Sequence, residues 1–139
     1  MNAMPDVRRL MTPTTNPITA AASTMANVTT SGRLAGSIGP LGASYRADVG
    51  PEHDRATRLY AEIAAIIAPQ VDVILGETIA TLAQARALLE AALPTGRPVW
   101  LSVTVDDSDG TRLRSGEPVT ELAAIARDGA SAVLANCSA

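Results

Sequence analysis

A few positions in this 139-residue chain carry side chains able to do chemistry, each standing just after a short apolar run. Glu77 follows Val71-Asp72-Val73-Ile74-Leu75-Gly76. A carboxylate there is costly to bury unless it meets a cation or several donors, so Glu77 is either a ligand-facing anion or a helix-entry residue favoured by a helix dipole near Thr81. Cys137 closes a run that begins Ala132-Val133-Leu134-Ala135. As a thiolate it is a nucleophile or metal ligand, and as a thiol it is a small packed apolar group. Ser37, Thr104 with Asp106, and Asn136 occupy comparable places. His53, between Glu52 and Asp54, reads as a solvated residue of a helix's first turn. Asp106, Asp107 and Asp109 before Gly110 lack the later Glu of a calcium loop and read as a polar turn. Gly36-Ser37-Ile38-Gly39 has no following Gly-Lys-Ser/Thr and is too short for a dinucleotide fingerprint. Arg112 and Arg114 fall in a loop, where solvated arginines are expected although an anion could bind.

The elements that must position these residues alternate regularly. The small, Gly-rich stretch 34–39 reads as a strand running into a loop at Pro40 and Gly42. Over 52–68, Ala56, Leu59, Tyr60, Ile63 and Ile67 follow the spacing of a one-faced helix that Pro69 ends. The β-branched run 71–76 predicts a strand covered on both faces. Thr81 and Gln84 have capping-box spacing for a helix over 81–93, with Leu82, Ala85, Leu88, Leu89, Ala92 and Leu93 on its apolar side. The run 99–105 is rich in β-formers and stops at the aspartate turn. A helix over 118–127 and a strand over 132–135 complete the order. Strands about thirty residues apart with intervening helices are βαβ units, so the sheet is expected to be parallel, either an open doubly wound sheet or an arc of a (β/α)₈ barrel. Both architectures collect functional groups at the carboxyl ends of the strands, where Ser37, Glu77, Thr104, Asn136 and Cys137 fall.

Composition narrows the function. With 47% apolar and 18% charged residues the chain can bury a core. A net charge of −3, a pI near 5.0 and the lack of a basic run exclude the positive field that nucleic acid or an anionic membrane needs. No apolar stretch approaches the roughly 18 to 20 residues of a membrane helix. A single cysteine makes no internal disulfide and fits a reducing cytoplasm. Residues 1–32 hold Arg8 and Arg9 but also Pro5, Pro13 and Pro17, with no amphipathic stripe, so a poorly ordered or incomplete terminal segment is expected rather than a targeting helix.

Five segments taken together, Ala35-Gly36-Ser37-Ile38-Gly39-Pro40, Gly76-Glu77-Thr78-Ile79, Pro98-Val99-Trp100-Leu101-Ser102, Leu113-Arg114-Ser115-Gly116-Glu117-Pro118 and Asn136-Cys137, resemble the homocysteine S-methyltransferase family, over 33–139. The resemblance implies a (β/α)₈ barrel, of which these strands are about the third to sixth. It also implies Zn²⁺ held by three cysteines, with Cys137 the first and an adjacent pair in a later Gly-Gly-Cys-Cys-Gly segment. Zinc would stabilise the thiolate of homocysteine for attack on a methyl donor, a sulfonium, ammonium or folate, giving methionine. Glu77 and Thr78, with Ser37 and Asn136, would bind substrate, Glu77 taking its amino group. The chain shows neither the cysteine pair nor the family's first and second strands. It is therefore expected to be a partial homocysteine-binding barrel domain, truncated and inactive alone, whose open sheet edges favour self-association. Two other readings stand beside this one. One is a non-catalytic binding or assembly module in which Cys137 is merely packed. The other is a small open α/β enzyme with Glu77 as general base.

Overall fold

The computed structural model of the chain describes residues 32–138. The expectation of a poorly ordered or incomplete terminal segment falls on residues outside that range, apart from Gly32. The elements run β1 (Ala35–Ile38), α1 (His53–Ile67), β2 (Val73–Ile79), α2 (Leu82–Ala92), β3 (Val99–Val103), α3 (Leu122–Arg127) and β4 (Ala132–Ala135). All four strands pair in parallel, in the order β1-β2-β3-β4. Neighbours in the sheet are thus neighbours in the chain. The reversal of strand order that marks an open doubly wound sheet is absent among these four, which selects the barrel arc of the two architectures the sequence left open.

Local chemistry explains the boundaries. Thr81 caps α2, its Oγ1 accepting from the Gln84 N–H at 3.0 Å, while Gln84 Oε1 reaches back to the Ala80 N–H at 3.0 Å. This is a capping box displaced by one residue, since the reciprocal bond lands before the cap. Proline stops α1 and α2 by tightening each end into a 3₁₀ turn, at Pro69 and Pro94. Gly96 then turns the chain in the left-handed region (φ 73°). Three boundaries differ from expectation. β3 ends at Val103, because Val105 leaves the sheet to bridge Leu113. A 3₁₀ turn (Val119–Glu121) precedes α3. β2 starts two residues later than expected and runs on through Glu77, Thr78 and Ile79.

Residues in register on parallel strands share a face. Gly36, Ile74 and Val99 form one row and Ile38, Gly76 and Leu101 the next. This face meets the helices. A Cβ at Gly36 would sit 3.0 Å from Ile67 of α1, and one at Gly76 2.8 Å from Leu88 of α2. Tyr60, Ile74, Leu88, Leu89, Leu101 and Ile125 are almost wholly buried there, each contributing about 1.5–3 kcal/mol relative to exposure. The opposite face carries the row Ser37, Leu75, Trp100 and Ala132. Ser37 is exposed and the other three are half-buried, so on this face β2 is buried at Val73 but only partly covered at Leu75, less than its apolar run suggested. That run reflects a barrel interior, which a sheet of four strands does not close.

Candidate functional site

The site is built on an irregularity in β2. Its register with β3 runs Gly76↔Leu101 and then Ile79↔Val103, leaving one extra residue on β2. This is a β-bulge, a device that re-aims side chains at sheet ends. Thr78 there adopts φ 57°. For a β-branched residue the left-handed region is a true outlier, costing about 1–3 kcal/mol unless surrounding contacts impose it. Asn136, just after β4, supplies those contacts. Its Oδ1 accepts from the Thr78 N–H at 3.1 Å and from Ser102 Oγ at 3.0 Å, and its Nδ2 donates to Thr78 Oγ1 at 3.2 Å. One amide thereby ties the carboxyl ends of three strands together. Thr78 and Ser102 are buried, so these bonds form largely away from water.

Cys137 follows in the left-handed region (φ 55°). Its backbone is fixed by Thr104 Oγ1, which donates to the Cys137 carbonyl at 3.2 Å, and by the Asn136 N–H, which donates to the Val103 carbonyl at 3.0 Å. Its sulfur lies 3.4 Å from Asn136 Nδ2 and 3.9 Å from Thr78 Oγ1. Tyr45, on the loop after β1 and itself at φ 66°, brings its phenol to the same sulfur, and that contact raises the phenol above its ordinary pKa. The side chain is exposed. Polar groups and solvent surround it, rather than the aliphatic packing that a structural cysteine would show.

Glu77 belongs to the bulge, not to a βα loop after the strand. The carboxyl end of β2 is long enough to carry it, because the bulge absorbs the turn expected at Gly76. Ser37 Oγ donates to Glu77 Oε1, orienting the carboxylate across β1 and β2. None of the ion pairs among the described residues uses Glu77, although it is only half-exposed. The cation that a partly buried carboxylate calls for is therefore not supplied by these residues. Glu77 precedes Thr78, and Thr78 touches the Cys137 sulfur, so the expected residues Ser37, Glu77, Thr78, Asn136 and Cys137 occupy one end of the sheet.

Other positions sort as follows. The aspartate segment is a polar turn: the Ser108 hydroxyl donates to Asp106 Oδ1, which also accepts from the Ser108 and Asp109 N–H groups at 2.8 and 3.0 Å, and these bonds, the hydroxyl's first, hold the Asp106 pKa below the ordinary value. His53 is exposed at the start of α1, 3.0 Å from Glu90. Arg114 departs from the solvated state expected of it. Its Nη2 meets both Asp107 oxygens at 2.7 and 2.8 Å, and its guanidinium lies 5.3 Å from the centre of the Tyr45 ring. Sequence reasoning missed Ser102 and Tyr45. Ser102 was findable, since it alternates with Trp100 and Thr104 on the inner face, whereas nothing local marks a loop tyrosine that reaches a cysteine more than ninety residues away.

Among the described residues no group of three or more His, Cys, Asp or Glu could hold a metal ion. The neighbours of the Cys137 sulfur are hydrogen-bond donors, not ligands. Among the described residues the donor set around Cys137 does not fit a zinc site.

Parallel βα units with polar and thiol groups gathered at the carboxyl ends of the strands define the class, an arc of an α/β barrel. The chain belongs to the homocysteine S-methyltransferase family, whose model matches residues 6–139. Among solved structures it is similar to the homocysteine methyltransferase MmuM from Escherichia coli in its metallated form, with a TM-score of 0.63 and 25% identity, covering 87% of this chain and 45% of that one. The chain thus spans less than half the length of that enzyme. No curated protein matches it in sequence.

Proposed function

We propose that these residues form the homocysteine-holding part of a methyltransferase that gives methionine. The observation that carries this reading is Glu77, a half-buried carboxylate oriented by Ser37 and without a cation among the described residues. An amino acid's ammonium is the group that such a carboxylate receives. Thr78 and Asn136 hold the bulge so that the substrate sulfur comes to rest beside Cys137. In the transfer itself the substrate thiol gives its proton to solvent and the sulfur forms a C–S bond to the methyl group. The bond from that methyl to the donor's sulfonium, ammonium or folate heteroatom breaks, its electron pair leaving with the donor. Cys137 is proposed as one zinc ligand. Zinc would require ligands beyond the described residues.

Further parts of the proposal rest on the family. The activity belongs to a complete barrel, so the isolated chain is expected to bind homocysteine without turning it over. Among the described residues no helix is long and apolar enough to cross a membrane, and a cytoplasmic location is proposed from the single thiol. Calorimetric titration of homocysteine into the chain tests the central role. Glu77→Gln should weaken binding about tenfold or more, the usual scale for a hydrogen bond to a charged group. Equal affinity in the variant and the parent would contradict the assignment.

A further inference from the structure

A cavity of about 170 Å³ lies between the loop after β1, the first turns of α1 and the start of α2. None of Ser37, Glu77, Thr78, Asn136 or Cys137 lines it. An apolar cavity of about 150 Å³ is enough for benzene, so this one has room for a ligand of a few heavy atoms. Its wall is largely apolar, with Leu41, Val49 and Ala56 prominent, and Tyr60 belongs to it. Tyr60 is 1% exposed, yet its hydroxyl is the only buried side-chain polar atom among the described residues that makes no hydrogen bond. Burial raises the phenol's pKa, and the backbone of Leu41, on the same wall, opposes that rise without closing a bond. A buried hydroxyl whose proton has no acceptor is costly and calls for an occupant that supplies one.

The other polar groups of the wall are also left with hydrogens to give. Gln84 spends its Oε1 on the Ala80 N–H, and Thr81 spends its Oγ1 on the Gln84 N–H, both as acceptors. The Gln84 amide hydrogens and the Thr81 hydroxyl proton therefore have no acceptor among the described residues. The start of α1 has no side-chain cap, and no described residue accepts from the N–H groups of His53, Asp54 and Arg55. These N–H groups form the positive end of the α1 dipole. His53 turns its Nε2 to Glu90. The one acid on the wall, Asp48, has its carboxylate held by Arg46 through two bonds of 2.6 Å. What remains free is a set of donors beside an apolar surface, the complement of an anionic acceptor that carries a short hydrocarbon chain.

We propose that this cavity binds a short-chain monocarboxylate, its carboxylate received by Tyr60, Gln84 and the first turn of α1, and its alkyl chain lying against Leu41, Val49 and Ala56. Titration of sodium butyrate into the isotope-labelled whole chain, with ionic strength held constant by sodium chloride, tests it. The backbone amide resonances of residues 53–55 and the side-chain amide of Gln84 should move together and saturate. Acetate, shorter by two methylenes, should bind about tenfold more weakly, and inorganic phosphate, which has no hydrocarbon, should also bind more weakly than butyrate. Tyr60→Phe keeps the ring and removes the hydroxyl. Gln84→Glu keeps an oxygen for the Ala80 N–H and replaces the donor by a negative charge. Each should weaken butyrate about tenfold or more. Because Gln84→Glu retains the α2 cap, it carries the test if Tyr60→Phe does not fold. The absence of a saturable shift with butyrate, which leaves water as the only occupant, overturns the site, and so does unchanged butyrate affinity in either folded variant. Phosphate or acetate binding as tightly as butyrate overturns the assignment of the ligand.

Discussion

Asn136 shows how much can depend on one side chain. Its amide satisfies the Thr78 N–H, the Thr78 hydroxyl and the Ser102 hydroxyl at once, and so holds a threonine in a backbone region it would otherwise avoid. Asn136→Ala leaves the buried Thr78 and Ser102 without these partners and frees the strain. Chemical denaturation should show a loss of about 1–3 kcal/mol, the cost of unpaired buried polar groups. A loss under about 0.5 kcal/mol would show that the bulge is held by other means. Glu77, Asn136 and Cys137 were legible in the sequence because each directly follows an apolar run, and Thr78 and Ser37 because they lie in segments that resemble the family. The bulge was not legible. Gly76 signals a strand end, and only the register against β3 shows that pairing resumes at Ile79. Arg114 was only partly legible for a related reason: a loop arginine can be expected to meet an anion, but its partners Asp107 and Tyr45 come from loops whose meeting no local pattern encodes.

At the scale of the elements, the βα order, the α2 cap and the proline stops were readable because each depends on neighbours within a few positions. Helix-to-sheet packing depends on distant ones, and Gly76 is its most sensitive point. Leu88 of α2 lies so close that an added methyl would come within 2.8 Å of its Cδ1. Leu88 is itself fully buried and has little room to yield. Gly76→Ala should therefore cost about 1–3 kcal/mol through overpacking, seen as a lower denaturation midpoint at unchanged slope. Since Glu77 is the next residue, the shift in β2 should also weaken homocysteine binding. A neutral effect on stability would mean that α2 moves freely against the sheet.

For the molecule as a whole, the decisive feature is what the four strands leave open. On β4, Val133 and Leu134 are 48% and 39% exposed, one on each face of the sheet, and the edges of β1 and β4 have no strand partner among the described residues. Unpaired parallel edges beside exposed apolar side chains favour association. Sedimentation of the isolated chain should show dimers or larger species growing with concentration, and a compact monomer at all concentrations would contradict this. The apolar runs located the strands, but they could not show that burying them calls for more barrel than four strands provide.

The central claim is that homocysteine is held at the carboxyl ends of β2 and β4. Amide chemical-shift mapping on the isotope-labelled chain tests it most directly. Adding homocysteine should move the resonances of Glu77, Thr78, Asn136, Cys137 and Ser138 in a saturable manner and leave those of α3 unmoved. Saturable shifts confined to other parts of the chain, or no shifts at all, would contradict the account.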